Sequence, residues 1–87
     1  MKWQVFFDPA AEKQFSKLDK QAQRDIEKYI AKNLETEEDP RHFGKPFLSI
    51  KNGWRYRVGD YRLVCLIQNA QFIVLFIKVG HRRDVYD

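Results

Sequence analysis

Residues 54–79 decide the fold, and they read WRYRVGDYRLVCLIQNAQFIVLFIKV. Three runs rich in β-branched and aromatic residues are separated by Gly59-Asp60 and Asn69-Ala70, which are typical of short hairpin turns. The runs are 54–58, 61–68 and 72–79. An antiparallel three-strand meander is therefore predicted. Because the third run is apolar on both faces, we expect it inside the sheet and not at its edge.

One strand and two helices are predicted before this meander. The β-forming run 2–7 ends at Asp8-Pro9, where an aspartate cap and a proline at the first helical position favour the start of a helix. Apolar residues then recur at helical spacing, and the pattern resumes after Asp19 and continues to Leu34. Two amphipathic helices joined by a tight turn near Asp19 are expected.

The segment from Glu35 to Gly53 should close the second helix and form an irregular loop, because an acidic run ends at Pro40 and glycines and a further proline follow. The prediction is an α+β fold of order β-α-α-β-β-β, with an antiparallel C-terminal meander and both N-terminal helices packed on the sheet. The expected aromatic core consists of Trp3, Phe6, Phe7, Phe15, Tyr29 and Phe76.

Length and composition bound the class of protein. Eighty-seven residues suffice for one core but not for two, so residues 1–87 should be a single domain. Cys65 is the only cysteine, which fits a reducing, cytoplasmic setting. No apolar run is long enough for a signal peptide or a membrane span, so we expect a soluble protein that does not contact a membrane.

Positive charge is concentrated in the second half of the chain. Residues 1–40 hold seven Lys/Arg and nine Asp/Glu, whereas residues 41–87 hold nine and three. A one-sided basic surface attracts polyanions, so nucleic acid or an acidic protein is the expected partner.

The first hairpin should bring three arginines together. If Gly59-Asp60 is a two-residue turn, Arg57 lies directly opposite Arg62, and Arg55 shares their face through the alternation of the strand. Like charges in that position repel each other. A bound phosphate would relieve the repulsion and fits the planar guanidinium, although arginines that merely lie solvated on the sheet are the equally simple alternative.

The tail adds further polar groups. We expect Gly80 to end the last strand and to place four residues at its exit, near Arg57 and Arg62. These are His81, Arg82, Arg83 and Tyr86. Together they are typical of a phosphate site with titratable groups beside it. His81 as an exposed polar residue and Tyr86 packed on the sheet are the structural alternatives.

Other residues have weaker functional interpretations. Trp54 and Tyr61 could stack on the bases of single-stranded RNA, Trp54 being equally suited to the core, and Lys45 and Lys51 could follow an RNA backbone. His42 fits a structural role better than a catalytic one. The two histidines and one cysteine lie far apart in sequence, so no metal site is expected. No cofactor-binding motif is present either.

These residues resemble the RelE family of bacterial and archaeal toxins, a branch of the RelE/ParE superfamily. The resemblance rests on Gly59-Asp60-Tyr61-Arg62, on Val79-Gly80-His81-Arg82 and on Tyr86, and the segment Phe7–Phe15 is similar to the family's first strand and helix. It covers nearly the whole chain. Its implied fold is the β-α-α-β-β-β arrangement predicted above.

The resemblance implies an endoribonuclease that enters the ribosome and cuts mRNA without a metal, so that translation stops. Arg62 would bind the phosphate, Arg82 would stabilise or protonate the leaving group, and Tyr86 would activate the 2′-hydroxyl. Arg55 and Arg57 stand where relatives often have lysines, and arginine keeps the charge but does not transfer protons. Relatives have histidine or lysine at the position of His81.

The resemblance also implies partners. A RelB-like antitoxin would hold the toxin inactive in a heteromeric complex, which in such systems can bind operator DNA, and the free toxin would act on the ribosome and its mRNA. Two other functions fit the same fold. One is a ParE-like inhibitor of DNA gyrase, whose members generally lack the arginine and tyrosine set, and the other is an RNA- or ribosome-binding module without catalysis.

Overall fold

The computed structural model describes residues 1–83, which form two helices packed on one side of a five-stranded sheet. The elements are β1 (Gln4–Phe7), α1 (Pro9–Ser16), α2 (Lys20–Tyr29) continued by a π-helical turn (Ile30–Leu34), a 3₁₀ turn (Pro40–His42), β2 (Lys45–Pro46), β3 (Gly53–Val58), β4 (Tyr61–Gln68), a second 3₁₀ turn (Asn69–Gln71) and β5 (Ile73–His81). No helix within this part of the chain is long and apolar enough to cross a membrane.

Both helices begin where the sequence predicts. The Asp8 carboxylate accepts a hydrogen bond from the Ala11 N–H at 2.8 Å, and the Asp19 carboxylate accepts one from the Ala22 N–H at 2.7 Å. Each bond satisfies a backbone donor that the first helical turn leaves without a partner. These local caps fix where α1 and α2 begin, and the two helices pack mainly on β5 and β3 respectively.

The sheet has the order β1-β5-β4-β3-β2. The predicted meander β3-β4-β5 is antiparallel, and β5 lies between β1 and β4, as its two apolar faces indicate. Strand β1 joins β5 in parallel. One prediction was wrong: the loop before β3 contains the short strand β2, which pairs with β3 and adds a fifth strand.

The connection between β4 and β5 also differs from the prediction. The expected two-residue turn at Asn69-Ala70 is a 3₁₀ turn over Asn69–Gln71, closed by Phe72 in the left-handed conformation with φ 54°. The Phe72 N–H donates to the Asn69 carbonyl at 3.2 Å. The longer turn offsets the entry of β5 without changing the antiparallel pairing.

The core lies between the helices and the sheet. It is built around Ile26, Leu34, Tyr56 and Phe76, none more than 1% exposed. Five of the six predicted core aromatics belong to it or pack against it, namely Trp3, Phe7, Phe15, Tyr29 and Phe76. Phe6 does not.

Phe6 is 48% exposed because it points to the face of the sheet that carries no helix. It lies opposite Leu75 in the register of β1 and β5, whereas its neighbour Phe7 lies opposite the buried Phe76. We call the helix-free side the open face. The sequence run of aromatics gave no means of telling which of the two would face the helices.

A β-bulge near the end of β5 shifts the alternation of its side chains between the two faces of the sheet. Cys65 pairs with Phe76 but Val64 pairs with Lys78, so Ile77 is an extra residue on β5. The bulge places Lys78 in solvent and returns Val79 to the core, 3% exposed. The Val79 N–H donates to the Gln14 side-chain oxygen of α1 at 2.8 Å, which satisfies a donor at a point where the ladder is irregular.

Strand β5 continues through His81, so the prediction that Gly80 ends it was wrong. Gly80 pairs with Arg62 and His81 pairs with Tyr61. Strands β4 and β5 therefore remain paired up to the Gly59-Asp60 turn. There the Arg82 N–H donates to the Asp60 carbonyl at 2.7 Å, which holds the start of the tail against the hairpin.

Candidate phosphate-binding site

A cationic cleft of about 140 Å³ lies on the open face, at the end of the sheet that holds the β3-β4 turn. Four of its lining side chains are basic: Lys45, Arg55, Arg57 and Arg62. The predicted register is confirmed, since Arg57 pairs directly with Arg62. The alternation of β3 places Arg55 on the same face.

The β3-β4 turn produces this pairing locally. Gly59 takes φ 59°, a left-handed conformation that glycine adopts without strain and that two-residue hairpin turns require. The Arg57 Nε–H donates to the Gly59 carbonyl at 3.3 Å. That bond draws the exposed Arg57 side chain toward the turn and so orients a guanidinium beside Arg62.

Lys45 enters the cleft because β2 lies against β3, where it pairs with Arg55. Gly44 precedes it at φ 73°, and a Cβ atom there would collide with the Arg55 carbonyl, so this approach requires glycine. The Trp54 indole N–H donates to the Phe43 carbonyl at 2.6 Å and holds the same segment. Trp54, which the sequence analysis assigned either to the core or to base stacking, therefore helps to hold Lys45 in the cleft.

Trp54 and Tyr61 both pack against the core on the helix side. Their proposed stacking on RNA bases is a prediction that their orientation does not favour. Lys51 lies in a different cleft, with the end of β4, so the two lysines predicted to contact RNA lie in two separate places.

The bulge separates His81 from the arginines. Val79 and His81 share the helix side, and the His81 ring lies 5.7 Å from the Tyr61 ring, while Arg57 and Arg62 point to the open face. Without the extra Ile77, alternation would have placed His81 on the arginine face. The expectation that His81 joins the Arg57/Arg62 pair is therefore not met.

The tail residues have different surroundings. The Arg83 N–H donates to His81 Nδ1 at 3.3 Å. Arg82 and Arg83 are exposed, and the backbone bond from Arg82 to Asp60 brings Arg82 beside the hairpin turn. Tyr86, the predicted activator of the 2′-hydroxyl, lies outside the described residues.

Two buried titratable groups, Tyr56 and Cys65, and the partly buried Tyr29 lie on the helix side and are held neutral. Burial raises the pKa of Tyr56 and of Tyr29, and it raises the pKa of the Cys65 thiol to about 12. The Tyr56 hydroxyl donates to the Pro40 carbonyl at 2.8 Å. These groups therefore support the fold and do not supply a base to the cationic cleft.

The loop before β2 has a charged contact of its own. Hydrogen bonding from the Arg41 backbone N–H, followed by the charge of Arg41, lowers the pKa of Asp39.

Among residues 1–83, no group of three or more histidine, cysteine, aspartate or glutamate side chains is arranged to hold a metal ion. The basic lining of the cationic cleft suits the binding of an anion by fixed cations.

Sequence reasoning missed two features that shape the site, the bulge and strand β2. Lys78 was the available signal for the bulge, because regular alternation from Val74 and Phe76 would have buried its ammonium. Strand β2 had no comparable signal, since two residues that include a proline do not form a recognisable strand pattern.

Several solved structures share this fold. A chain of the RelBE2 toxin–antitoxin complex of Mycobacterium tuberculosis matches with a TM-score of 0.78 and 23% identity, over 94% of this chain and 93% of that chain. A chain of the intact E. coli RelBE complex matches with a TM-score of 0.74 and 21% identity, over 91% and 95%. An archaeal RelE-RelB complex from Pyrococcus horikoshii gives 0.74 and 21%, over 98% and 100%. Likeness at this level of identity shows a common fold.

Sequence comparison adds the family. No curated protein matches significantly, but the model of the family described as "ParE toxin of type II toxin-antitoxin system, parDE" matches residues 5–86. That match covers all of the secondary structure described above except Gln4, the first residue of β1, and it extends across the tail. The protein therefore belongs to the ParE toxin family of type II toxin–antitoxin systems, and it shares its fold with chains of the RelBE complexes.

Proposed function

We propose that this toxin is a metal-independent endoribonuclease that cuts mRNA on the ribosome, in the cytoplasm, and thereby stops translation. One observation carries the proposal: three arginines and a lysine converge on one cleft of the open face, with Arg57 directly opposite Arg62. A cleft lined by four cationic side chains suits an anionic ligand, and the planar guanidinium fits a phosphate.

RNA cleavage by its own 2′-hydroxyl suits such a cleft. The reaction needs removal of the 2′ proton, stabilisation of the charge on the phosphorane, and a proton for the departing 5′ oxygen. Arg57 and Arg62 provide fixed donors for the second requirement, and preorganised donors of this kind lower a barrier by about 2–4 kcal/mol each. We propose that Arg62 binds the scissile phosphate and that Arg55 stabilises negative charge beside it.

The proton transfers are assigned to the tail. Arg82, fastened beside the hairpin by its backbone bond to Asp60, would stabilise the leaving group, and Tyr86 would activate the 2′-hydroxyl. A phenol with an ordinary pKa near 10 is a weak base at neutral pH, so nearby guanidiniums must favour its phenolate. His81, on the helix side of the sheet, is assigned a structural part.

The decisive experiment is brief induction followed by mapping of new mRNA ends. Wild type should cut within translated frames and leave 2′,3′-cyclic phosphates, while Arg62→Ala and Arg82→Ala should lose cutting by about 100-fold or more. Arg82→Ala is well suited because the bond to Asp60 uses the backbone N–H and survives. Arg24→Ala, exposed on α2, is the matched control and should cut normally.

Tyr86→Phe separates catalysis from binding. If Tyr86 transfers the proton, the variant should still associate with ribosomes but cut poorly. Cutting at the wild-type rate would make Tyr86 structural. Ribosome association with unchanged RNA ends in wild type itself would instead indicate a binding module without catalysis.

Inhibition of DNA gyrase is the second candidate, and the match to the ParE family model favours it. It predicts DNA breaks without prior translational arrest. The cationic cleft is the counter-argument, because a toxin acting only through protein contacts does not need three arginines around one cleft. Measuring protein and DNA synthesis in the first minutes after induction distinguishes the two.

The proposed partner in the resting cell is a RelB-like antitoxin. Several of the solved structures that share this fold are complexes of RelE with RelB, and the basic half of this chain suits an acidic segment laid over Arg55, Arg57, Arg62 and Arg82. Substituting those arginines should weaken the complex, and more so at low salt.

A further inference from the structure

A second cleft, of about 350 Å³, lies at the other end of β4. It is lined chiefly by uncharged polar side chains around Leu66 and the adjoining backbone. The polar members are Lys51, Asn52, Gln68, Asn69 and Gln71. We call it the amide cleft, because four of these five side chains are amides.

The amide groups are available to a ligand. Within residues 1–83, the side chains of Asn52, Gln68 and Gln71 make no hydrogen bond to other protein groups. The Asn69 side-chain oxygen accepts from the Arg41 guanidinium at 2.8 Å, which fixes the orientation of that planar amide and leaves its NH₂ group as the donor for a ligand. The cleft thus offers donors and acceptors side by side, with little net charge.

Strand β4 and the segment 45–51 both contribute residues to the amide cleft and to the cationic cleft. Arg62 and Gln68 both point to the open face and are six residues apart on β4, a distance of roughly 20 Å along a strand. The segment 45–51 also runs between them, with Lys45 lining the cationic cleft and Lys51 lining the amide cleft. A few nucleotides of an extended single strand would span this distance.

We propose that the amide cleft binds a base of the RNA strand whose phosphate occupies the cationic cleft, and that it prefers adenine. Paired amide donors and acceptors match the neighbouring donor and acceptor on an adenine edge, which asparagine and glutamine bind through two hydrogen bonds. Such edges are accessible in single-stranded RNA. Lys51 contacts the adjoining phosphate. This site rests on the proposed function and adds the means of sequence selection to it.

The test is titration of the isotopically labelled toxin with short single-stranded oligoribonucleotides, followed by NMR. An adenine-rich strand should shift the side-chain NH₂ signals of Gln68 and Gln71 together with the arginine signals of the cationic cleft. An abasic ribose-phosphate strand should shift only the arginine signals. Signals of Gln21, an exposed amide on α2, should respond to neither.

A double variant, Gln68→Ala with Gln71→Ala, tests the contribution to affinity. It should bind the adenine-rich strand about 10-fold more weakly, as loss of a two-bond contact implies, and bind the abasic strand as wild type does. The control Gln21→Ala should bind both strands normally. Thermal unfolding of each variant checks that the fold is retained.

The outcomes separate this inference from the function on which it rests. Arginine signals that shift while Gln68 and Gln71 remain silent would overturn the amide cleft and leave the phosphate site intact. Equal affinity of wild type and the double variant for the adenine-rich strand would do the same. Silence at both clefts with every strand would overturn the amide cleft and count against RNA binding as a whole.

Discussion

Removing one arginine from the cationic cleft should make the free protein more stable. The substitution is Arg57→Gln, which retains a polar side chain with N–H donors at a position opposite Arg62 and removes one of two facing charges. Side chains so paired have Cβ atoms about 4.5–5.5 Å apart, and facing like charges cost about 0.2–1 kcal/mol. The exposed hydrogen bond from Arg57 to the Gly59 carbonyl, 3.3 Å long, offsets part of this repulsion.

The expected net gain is about 0.5 kcal/mol at low ionic strength, the middle of the range for such pairs. For a domain of this size, that gain raises the midpoint of thermal unfolding by about 2–4 °C. The difference should vanish in 1 M NaCl, where charges are screened beyond about 3 Å. Differential scanning calorimetry at 20 mM and 1 M NaCl measures both effects.

Inorganic phosphate should reverse the order. A ligand that binds only the folded state stabilises it in proportion to its affinity, so phosphate at constant ionic strength should raise the midpoint of wild type more than that of Arg57→Gln. Arg24→Gln, on α2 and away from the cleft, is the control that changes net charge equally. If Arg57→Gln melts below wild type at low salt while Arg24→Gln does not, the two arginines do not repel each other as reasoned.

Three further predictions concern the framework that holds the cleft. Tyr56→Phe should lose about 1–2 kcal/mol of unfolding free energy in urea titrations, because the buried Pro40 carbonyl loses its donor; a loss below about 0.3 kcal/mol would mean that water replaces the hydroxyl. Burial raises the pKa of Cys65 from 9.0 to about 12, so above pH 9 the unfolded chain releases a proton that the folded chain retains. Unfolding free energy should then fall with rising pH, approaching about 1.4 kcal/mol per pH unit, and between pH 9 and 10 Cys65→Val should show a clearly shallower slope. Gln14→Leu should abolish the hydrogen-exchange protection of the Val79 amide and lower stability by about 1–2 kcal/mol, whereas Gln14→Glu, which retains the acceptor oxygen, should preserve that protection.

The sequence alone determined the features that depend on neighbouring residues. Asp8 and Asp19 start their helices because an aspartate carboxylate reaches the backbone of the next turn. The Gly59-Asp60 turn pairs Arg57 with Arg62 because a two-residue loop leaves only one register. The pairing of Arg57 with Arg62 was therefore predictable, because the two residues are only five positions apart in the sequence.

Tertiary structure decided what depends on contacts between distant segments. The parallel pairing of β1 with β5 put Phe6 in solvent, and the bulge at Ile77 moved His81 to the face opposite the arginines. Gln14 stabilises that bulge from 65 residues away. Side chains alternate strictly between the two faces only while a strand is regular. An unpredicted extra residue therefore reverses the predicted face of every later residue in that strand. The hairpin of the cationic cleft was thus encoded locally, while the face of the sheet on which His81 lies was fixed by packing.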